Sequence, residues 1–209
     1  VFDDADLDVA IPVIVRSFVS NAGQTCSAGT RLLVQDSIHD EVVRRLKASV
    51  EAVRLGPPDQ DPDLGPLISE RQRQRVAEYV EQGKRQGLSL VTGGSQPDPA
   101  KGLTGFYYFP TVFDDTPPTS NLFTEEIFGP VLCVTRFSTE KEAIDLANAT
   151  PYGLNTGVWT SSIGRALRIA TEVKAGMVYI NSFGISENTG VPFGGYKKSG
   201  FGREKGLEA

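Results

Sequence analysis

The strongest constraint on this chain is a repeated alternation. Short apolar runs of strand length are followed by stretches whose apolar residues recur at three- and four-residue steps. The run TRLLV at 30–34 has strand character. Directly after it, Ile38, Val42, Val43, Leu46, Val50 and Val53 share one face of a helix expected over 36–56, with Ser37 placed to cap its start and Gly56 its end. The segment 11–19 has helical character, and a further helix is expected over 69–87 with Val76, Tyr79 and Val80 facing inward. Strands are expected at 88–91, 107–113 and 131–137. Thr139-x-x-Glu142 then forms a capping box that opens a helix to Asn148. The pattern closes with a strand at 156–160, a helix at 163–173 and a strand at 177–180. These spacings suit crossover connections, so the fold class is α/β with a largely parallel sheet and helices on both faces. No internal repeat, low-complexity tract or linker interrupts it, and 1–209 is expected to form one domain.

Composition narrows the function. Of the 209 residues 39% are hydrophobic and 22% charged, enough apolar material for a core without disulfides or a structural metal. A net charge of −5 lacks the broad basic footprint of a nucleic-acid binder. The one basic concentration, Lys197, Lys198, Arg203 and Lys205 with Glu204 among them, is expected to be a solvated loop. No apolar run approaches the roughly 18 residues of a membrane span, and no signal peptide is expected. Cys26 and Cys133 lie too far apart in sequence to suggest a disulfide scaffold, and with the single His39 they form no zinc signature, so no metal is expected. Low cysteine content suits a reducing, cytoplasmic compartment. His39, at the start of a helical pattern, is expected at the surface. Both ends of the sequence have the character of cuts from something longer.

Three segments carry chemistry. In Asn21-Ala22-Gly23-Gln24-Thr25-Cys26-Ser27-Ala28-Gly29, a cysteine sits among small, polar, Gly-flanked neighbours instead of apolar ones. Such a setting leaves backbone N–H groups and space for a carbonyl substrate, and a thiolate there would form a thioester. The residues alone leave open whether Cys26 is a nucleophile or an inert thiol. Glu125-Glu126-Ile127-Phe128-Gly129-Pro130 is either a solvated loop or a carboxylate that grips a ribose diol while the ring packs on a flat cofactor group. The third segment, Asn181 to Gly184 followed by the Gly-rich stretch 192–200, comes directly after a strand, where open α/β sheets bind ligands. Gly200-x-Gly202-x-x-x-Gly206 is one residue too long for a dinucleotide fingerprint and follows no strand. Cys133, inside an apolar strand, is expected to be buried and inert.

Together these segments resemble the aldehyde dehydrogenase superfamily along almost the whole chain. The landmarks are GQTC at 23–26, GPLIS at 65–69, EEIFGPV at 125–131, PYGLNTGVW at 151–159 and PFGGYKKSGFGREKG at 192–206. The opening VFDDADLD is similar to the stretch that follows the family's ELGGK motif. The resemblance implies that Cys26 is the nucleophile, with its own backbone N–H stabilising the oxyanion. It implies that Glu126 holds the nicotinamide ribose, that Phe128 packs near the nicotinamide, and that Gln72 lies near the adenosine-side ribose. Residues around Phe18 and in the loop 183–191 would line the aldehyde tunnel, and Asn181 would be a structural residue at the sheet's ligand-facing end. Glu187 in that loop either simply faces water or attracts a cationic aldehyde.

The implied reaction oxidises an aldehyde with NAD or NADP through a thiohemiacetal and thioester on Cys26. The family's general-base glutamate, its oxyanion asparagine and most of its cofactor site would precede Val1, and its C-terminal arm would follow Ala209. The isolated chain is therefore expected not to oxidise aldehydes at a useful rate, and the full-length protein is expected to be a homodimer or homotetramer. Two alternatives are a CoA-acylating relative and a non-catalytic structural or binding homologue.

Overall fold

The computed structural model describes residues 1–184 and 190–207. Its main sheet contains β1 (Arg31–Gln35), β2 (Ser89–Thr92), β3 (Thr111–Asp114) and β4 (Val131–Phe137), in the spatial order β1-β4-β3-β2. β4 runs parallel to both β1 and β3, with Arg31 opposite Cys133 and Thr111 opposite Val131, whereas β2 joins β3 antiparallel. β5 (Tyr152–Gly153) pairs antiparallel with β8 (Tyr196–Lys197), and β6 (Asn155–Val158) pairs parallel with β7 (Met177–Ile180). The expected α/β class with a mainly parallel sheet holds.

Side-chain alternation along β1 sorts the core. Leu32 and Val34 join Val42, Leu46 and Val50 of α2 (His39–Glu51) and the inner face of α1 (Leu7–Val19). Leu33, pointing the other way, packs with Phe137, Ala143 and Ile144 of α5 (Glu140–Asn148) and Ile169 of α6 (Ile163–Glu172). The sheet is thus covered on both faces. Thr139 caps α5 through the N–H of Glu142, and Ser69 caps the helix Glu70–Arg85, here α3, through the N–H of Gln72.

Several boundaries differ from expectation. α1 starts a turn earlier than residue 11, because Asp6 accepts from the N–H groups of Asp8 and Val9. The strand expected at 107–113 is confined to Thr111–Asp114. Pro110 has no N–H to contribute to a ladder, although Tyr107 and Tyr108 ahead of it are buried. Ser37 does not cap α2: a 3-10 turn over Asp36–Ile38 leads into the helix, with no side-chain cap. That turn sends His39 inward rather than to the surface. His39 is 1% exposed and shares the inner face of Val42, Leu46 and Val50. Its Nε2 meets Asp114 Oδ1 at 2.8 Å and its Nδ1 meets Asp40 Oδ1 at 3.1 Å.

The basic tail is largely solvated as expected, with Lys197, Lys198 and Lys205 exposed, although its side chains also make local contacts. Lys197 Nζ donates to the carbonyls of Asn148 and Thr150, Arg203 lies over the Tyr196 ring, and Lys205 lies over Phe193. Burial lowers the Lys197 pKa.

Val1 and Phe2 bridge the two parallel units. The Val1 nitrogen donates to Leu33 O (2.7 Å), Gln35 N–H donates to Val1 O (3.0 Å), and Phe2 N–H donates to Trp159 O (3.0 Å). One strand therefore separates β1 from β6 at this end, about 10 Å from edge to edge. From there a cleft of about 230 Å³ continues between the two strands, past Leu33 and Gly157, to a mouth at Cys26.

Candidate active site

The loop before β1 is shaped by three consecutive left-handed residues, Asn21, Ala22 and Gly23 (φ 53°, 54° and 68°). Such a run is costly for Asn and Ala, and it is held in place from both sides. Asn21 Nδ2 donates to Gln24 O (2.8 Å), and Gln24 Nε2 donates back to Asn21 O (3.2 Å). Gln24 Oε1 accepts from the N–H of Ile68, tying the loop to the segment before α3. Further on, Gly29 N–H donates to Ser17 O of α1, and Asn155 Nδ2 donates to Ser27 O. Cys26 stands exposed between these anchors. Cys133 is buried at 1% exposure, with its Sγ 3.3 Å from Leu122 O, and burial pushes its thiol up to about 12, so it carries no thiolate near neutrality.

Glu126 and Phe128 line the same cleft as Cys26, on a turn between α4 (Asn121–Thr124) and β4. The two adjacent carboxylates differ. Glu125 is taken by the hydroxyl of Tyr79 (2.6 Å), whose pKa is raised by burial and by that acceptor. The Glu126 carboxylate has no hydrogen bond among the described residues and remains available to a ligand. Phe128 is left-handed (φ 62°) and 37% exposed. Gly129 is packed so tightly that an added Cβ would lie 2.3 Å from a Val76 methyl.

Gln72 also reaches this turn, but through the backbone. Its Nε2 donates to Ile127 O (3.2 Å) and Phe128 O (2.7 Å). Two cations that sequence reasoning missed grip the same turn. Arg75 donates to Glu126 O (2.8 Å). Arg31 donates to Glu125 O (3.0 Å) and Phe123 O, and lies over the Tyr152 ring. Burial lowers the Arg31 pKa, opposed by nearby acidic groups including Glu126. The signal for Arg31 was present: an arginine at the head of an apolar strand must find acceptors.

Other expected site residues are distributed unevenly. Phe183 lines the cleft and packs over Gly157. Of the residues around Phe18, Ile14 and Ser17 of α1 line the cleft, while Phe18 itself is fully buried in the core on the inner face of that helix. Asn181 is structural, exchanging hydrogen bonds with both backbone groups of Thr160 at the C-terminal ends of β6 and β7. Cys26, however, precedes the N-terminal end of β1, so the rule that ligands gather at strand C-termini does not locate this mouth. Asn181 (φ 50°) turns the chain back, which brings Phe183 toward it. Glu187 and the rest of 185–189 lie outside the described residues.

An exposed thiol, a carboxylate with no hydrogen bond among the described residues and a partly exposed ring on a gripped turn thus line one cleft of an α/β scaffold. The sequence profile of the aldehyde dehydrogenase family matches residues 1–209. The chain is 44% identical over its full length to a betaine aldehyde dehydrogenase of Rhizobium johnstonii, of which it covers 43%. It is likewise 44% identical to that of Bacillus subtilis over 99% of the chain, covering 42% of that protein. Among solved structures, betaine aldehyde dehydrogenase from Staphylococcus aureus, in complex with NAD+ and with a BME-modified cysteine, superposes with a TM-score of 0.95 at 41% identity, over 99% of this chain and 42% of that one. A mutant aldehyde dehydrogenase from Bacillus cereus gives 0.94 at 40% identity, over 99% of this chain and 41% of that one. The chain belongs to the aldehyde dehydrogenase family and spans less than half the length of these relatives. Among the described residues no helix is long and apolar enough to cross a membrane.

Proposed function

We propose that this chain is the catalytic domain, folded as one unit, of an NAD(P)+-dependent aldehyde dehydrogenase, with Cys26 as nucleophile and Glu126 and Phe128 as cofactor contacts. The observation that carries the reading is that one cleft is lined by an exposed thiol, a carboxylate with no hydrogen bond among the described residues and a partly exposed ring. An unengaged carboxylate beside an exposed aromatic suits a ribose diol next to a flat heterocycle, so the residues present fit a nicotinamide dinucleotide. Identity above 40% with relatives solved with NAD+ favours NAD over NADP.

Cys26 Sγ, as thiolate, adds to the aldehyde carbonyl carbon, and the carbonyl electron pair moves to oxygen. The backbone N–H of Cys26 and the polar loop around it stabilise that oxyanion. NAD(P)+, held by Glu126 at its ribose and by Phe128 near its ring, would supply the hydride acceptor; loss of hydride from the former aldehyde carbon as the oxyanion collapses leaves a thioester on Cys26. Water then adds to the thioester carbon, giving up one proton to a general base, and the carboxylic acid leaves as Cys26 Sγ recovers its electron pair as thiolate. The anchors at Gln24, Ser27 and Gly29 keep the sulfur in one place through both additions.

The relatives' shared name makes betaine aldehyde, a small cation, the first substrate to try. The test is a steady-state screen of aliphatic, aromatic and quaternary-ammonium aldehydes with NAD+ and NADP+, on the protein at the length of its relatives. Aldehyde-dependent NADH formation that vanishes in Cys26→Ala is the expected result; turnover that survives Cys26→Ala would overturn the reading. CoA-dependent acyl release in the same assay would identify the acylating reaction instead.

A further inference from the structure

We infer that Gln72 and Arg75, one helical turn apart on α3, are positioning residues that hold the cofactor-facing turn by its carbonyls, so that Glu126 and Phe128 meet a nicotinamide ribose from a fixed backbone. This rests on the cofactor role proposed above for Glu126 and Phe128. Gln72 Nε2 has two hydrogens, and both go to backbone: to Ile127 O at 3.2 Å and Phe128 O at 2.7 Å. Arg75 Nη2 donates to Glu126 O at 2.8 Å, and its Nε donates to Ile127 O at 3.4 Å. Three consecutive carbonyls, Glu126 to Phe128, are therefore gripped from one helix face, while Arg31 holds Glu125 from the other side.

The grip avoids the groups that would bind. The Glu126 carboxylate and the Phe128 ring are left untouched, and only their backbone is fixed. Phe128 needs such support, since its left-handed backbone is unfavourable for a residue with a Cβ. Arg75 is itself steadied, lying over the Tyr79 ring at 5.1 Å with its Nη2 3.3 Å from the Tyr79 hydroxyl. With both amide hydrogens committed, Gln72 has none left to donate to a ribose. Its Oε1 still has acceptor capacity for a ribose hydroxyl, so the role through the turn adds to the contact the resemblance implied.

The experiment compares wild type with Gln72→Leu, Gln72→Glu and Arg75→Lys in the dehydrogenase at the length of its relatives. Gln72→Leu keeps the bulk and removes the donors, Gln72→Glu keeps the shape with acceptors only, and Arg75→Lys retains one donor. Two quantities are measured: hydrogen exchange of the segment 123–131, and the NADH dissociation constant by fluorescence titration. For Gln72→Leu and Gln72→Glu, exchange is expected to quicken and NADH affinity to fall by about tenfold each, the effect of losing one or two net hydrogen bonds. Arg75→Lys should fall between these and wild type, a graded rescue that a merely packed residue would not give.

Unchanged exchange in both Gln72 variants overturns the inference, and so does faster exchange with unchanged NADH affinity. If one variant does not fold, the other still decides. A wild-type protein that binds no NADH removes the cofactor reading itself, and that is visible before any variant is made.

Discussion

Gly23 lies directly against the carbonyl of Gly129: a Cβ on Gly23 would sit 2.2 Å from that oxygen. The loop that carries Cys26 and the turn that carries Glu126 and Phe128 are therefore in backbone contact, with no side chain between them to flex. The proposed nucleophile and the proposed cofactor contacts are thus joined through a glycine-on-glycine junction.

Gly23→Ala should consequently be among the most damaging small substitutions in the protein. A left-handed alanine costs about 1 kcal/mol, and the collision adds strain from backbone that cannot rotate away, for a total of about 2–4 kcal/mol. Gly87→Ala is the matched control. Gly87 is also left-handed (φ 75°), but nothing lies within 4 Å of its added Cβ, so only the conformational cost should appear. Denaturant melts of the two variants decide this; equal losses would mean that the junction with Gly129 does not matter.

The two thiols should separate cleanly. Cys26 is exposed, whereas Cys133 is buried and its thiol is pushed up to about 12. Native protein treated with iodoacetamide near neutral pH should take up one label, at Cys26, and a second only after unfolding. Peptide mapping reads the sites. Comparable labelling of Cys133 in the native state would contradict its burial.

Much of this arrangement was legible in the sequence, and what was not has identifiable causes. The strand 131–137 and the cap at Thr139 carry their signals locally, in an uninterrupted apolar run and in a Thr-x-x-Glu spacing, and both boundaries agree. Cys26, Glu126 and Phe128 stood out because small, polar or acidic residues occurred where packing alone does not call for them. Gln72 was found, but which of its atoms would be free depends on carbonyls 55 and 56 residues away. Arg31 escaped for the same reason, since its acceptors lie 92 and 94 residues on. The stretch around Phe18 is rightly marked, but which of its positions reach the cleft is not legible, because adjacent positions of one helix divide between core (Phe18) and cleft (Ser17). His39 is misread when judged from its place at the start of the helix, although its spacing of three to Val42 and seven to Leu46 is an inner-face signal.

His39 gives a prediction of its own. At 1% exposure, with both ring nitrogens on carboxylates, it packs as a core residue and satisfies Asp114. His39→Ala should lower stability by about 2–4 kcal/mol, from the cavity and the lost partner together. His39→Leu should recover the packing share and leave the rest. A loss below about 0.5 kcal/mol in His39→Ala, the size of an ordinary surface change, would return this residue to the surface.

Asp4 links the start of the chain to the end of β6 and to α6, and it sets a pH dependence. Its carboxylate accepts from Thr160 Oγ1 (2.7 and 2.9 Å), Ser161 Oγ (3.0 Å) and Arg165 Nη1 (2.9 Å). Burial, the largest single influence, works to raise its pKa, but these hydroxyl donors and the guanidinium together outweigh it, and the net direction is down. A carboxyl group whose folded pKa is depressed contributes stability that is fully present above its unfolded value, about 3.9. That contribution is lost as pH falls through the folded value. Asp4→Asn keeps the shape and one acceptor oxygen but not the charge. It should cost about 1–2 kcal/mol at pH 7, the range for hydrogen bonds to a charged group with partial solvent screening. As acid protonates the wild-type carboxylate, the gap should narrow once pH drops below about 3.9 and close only below the depressed folded value. Urea melts at pH 7, 5, 4 and 3 measure the difference. A gap that stays constant across that range would show that Asp4 acts through shape alone, with its charge contributing nothing to the junction.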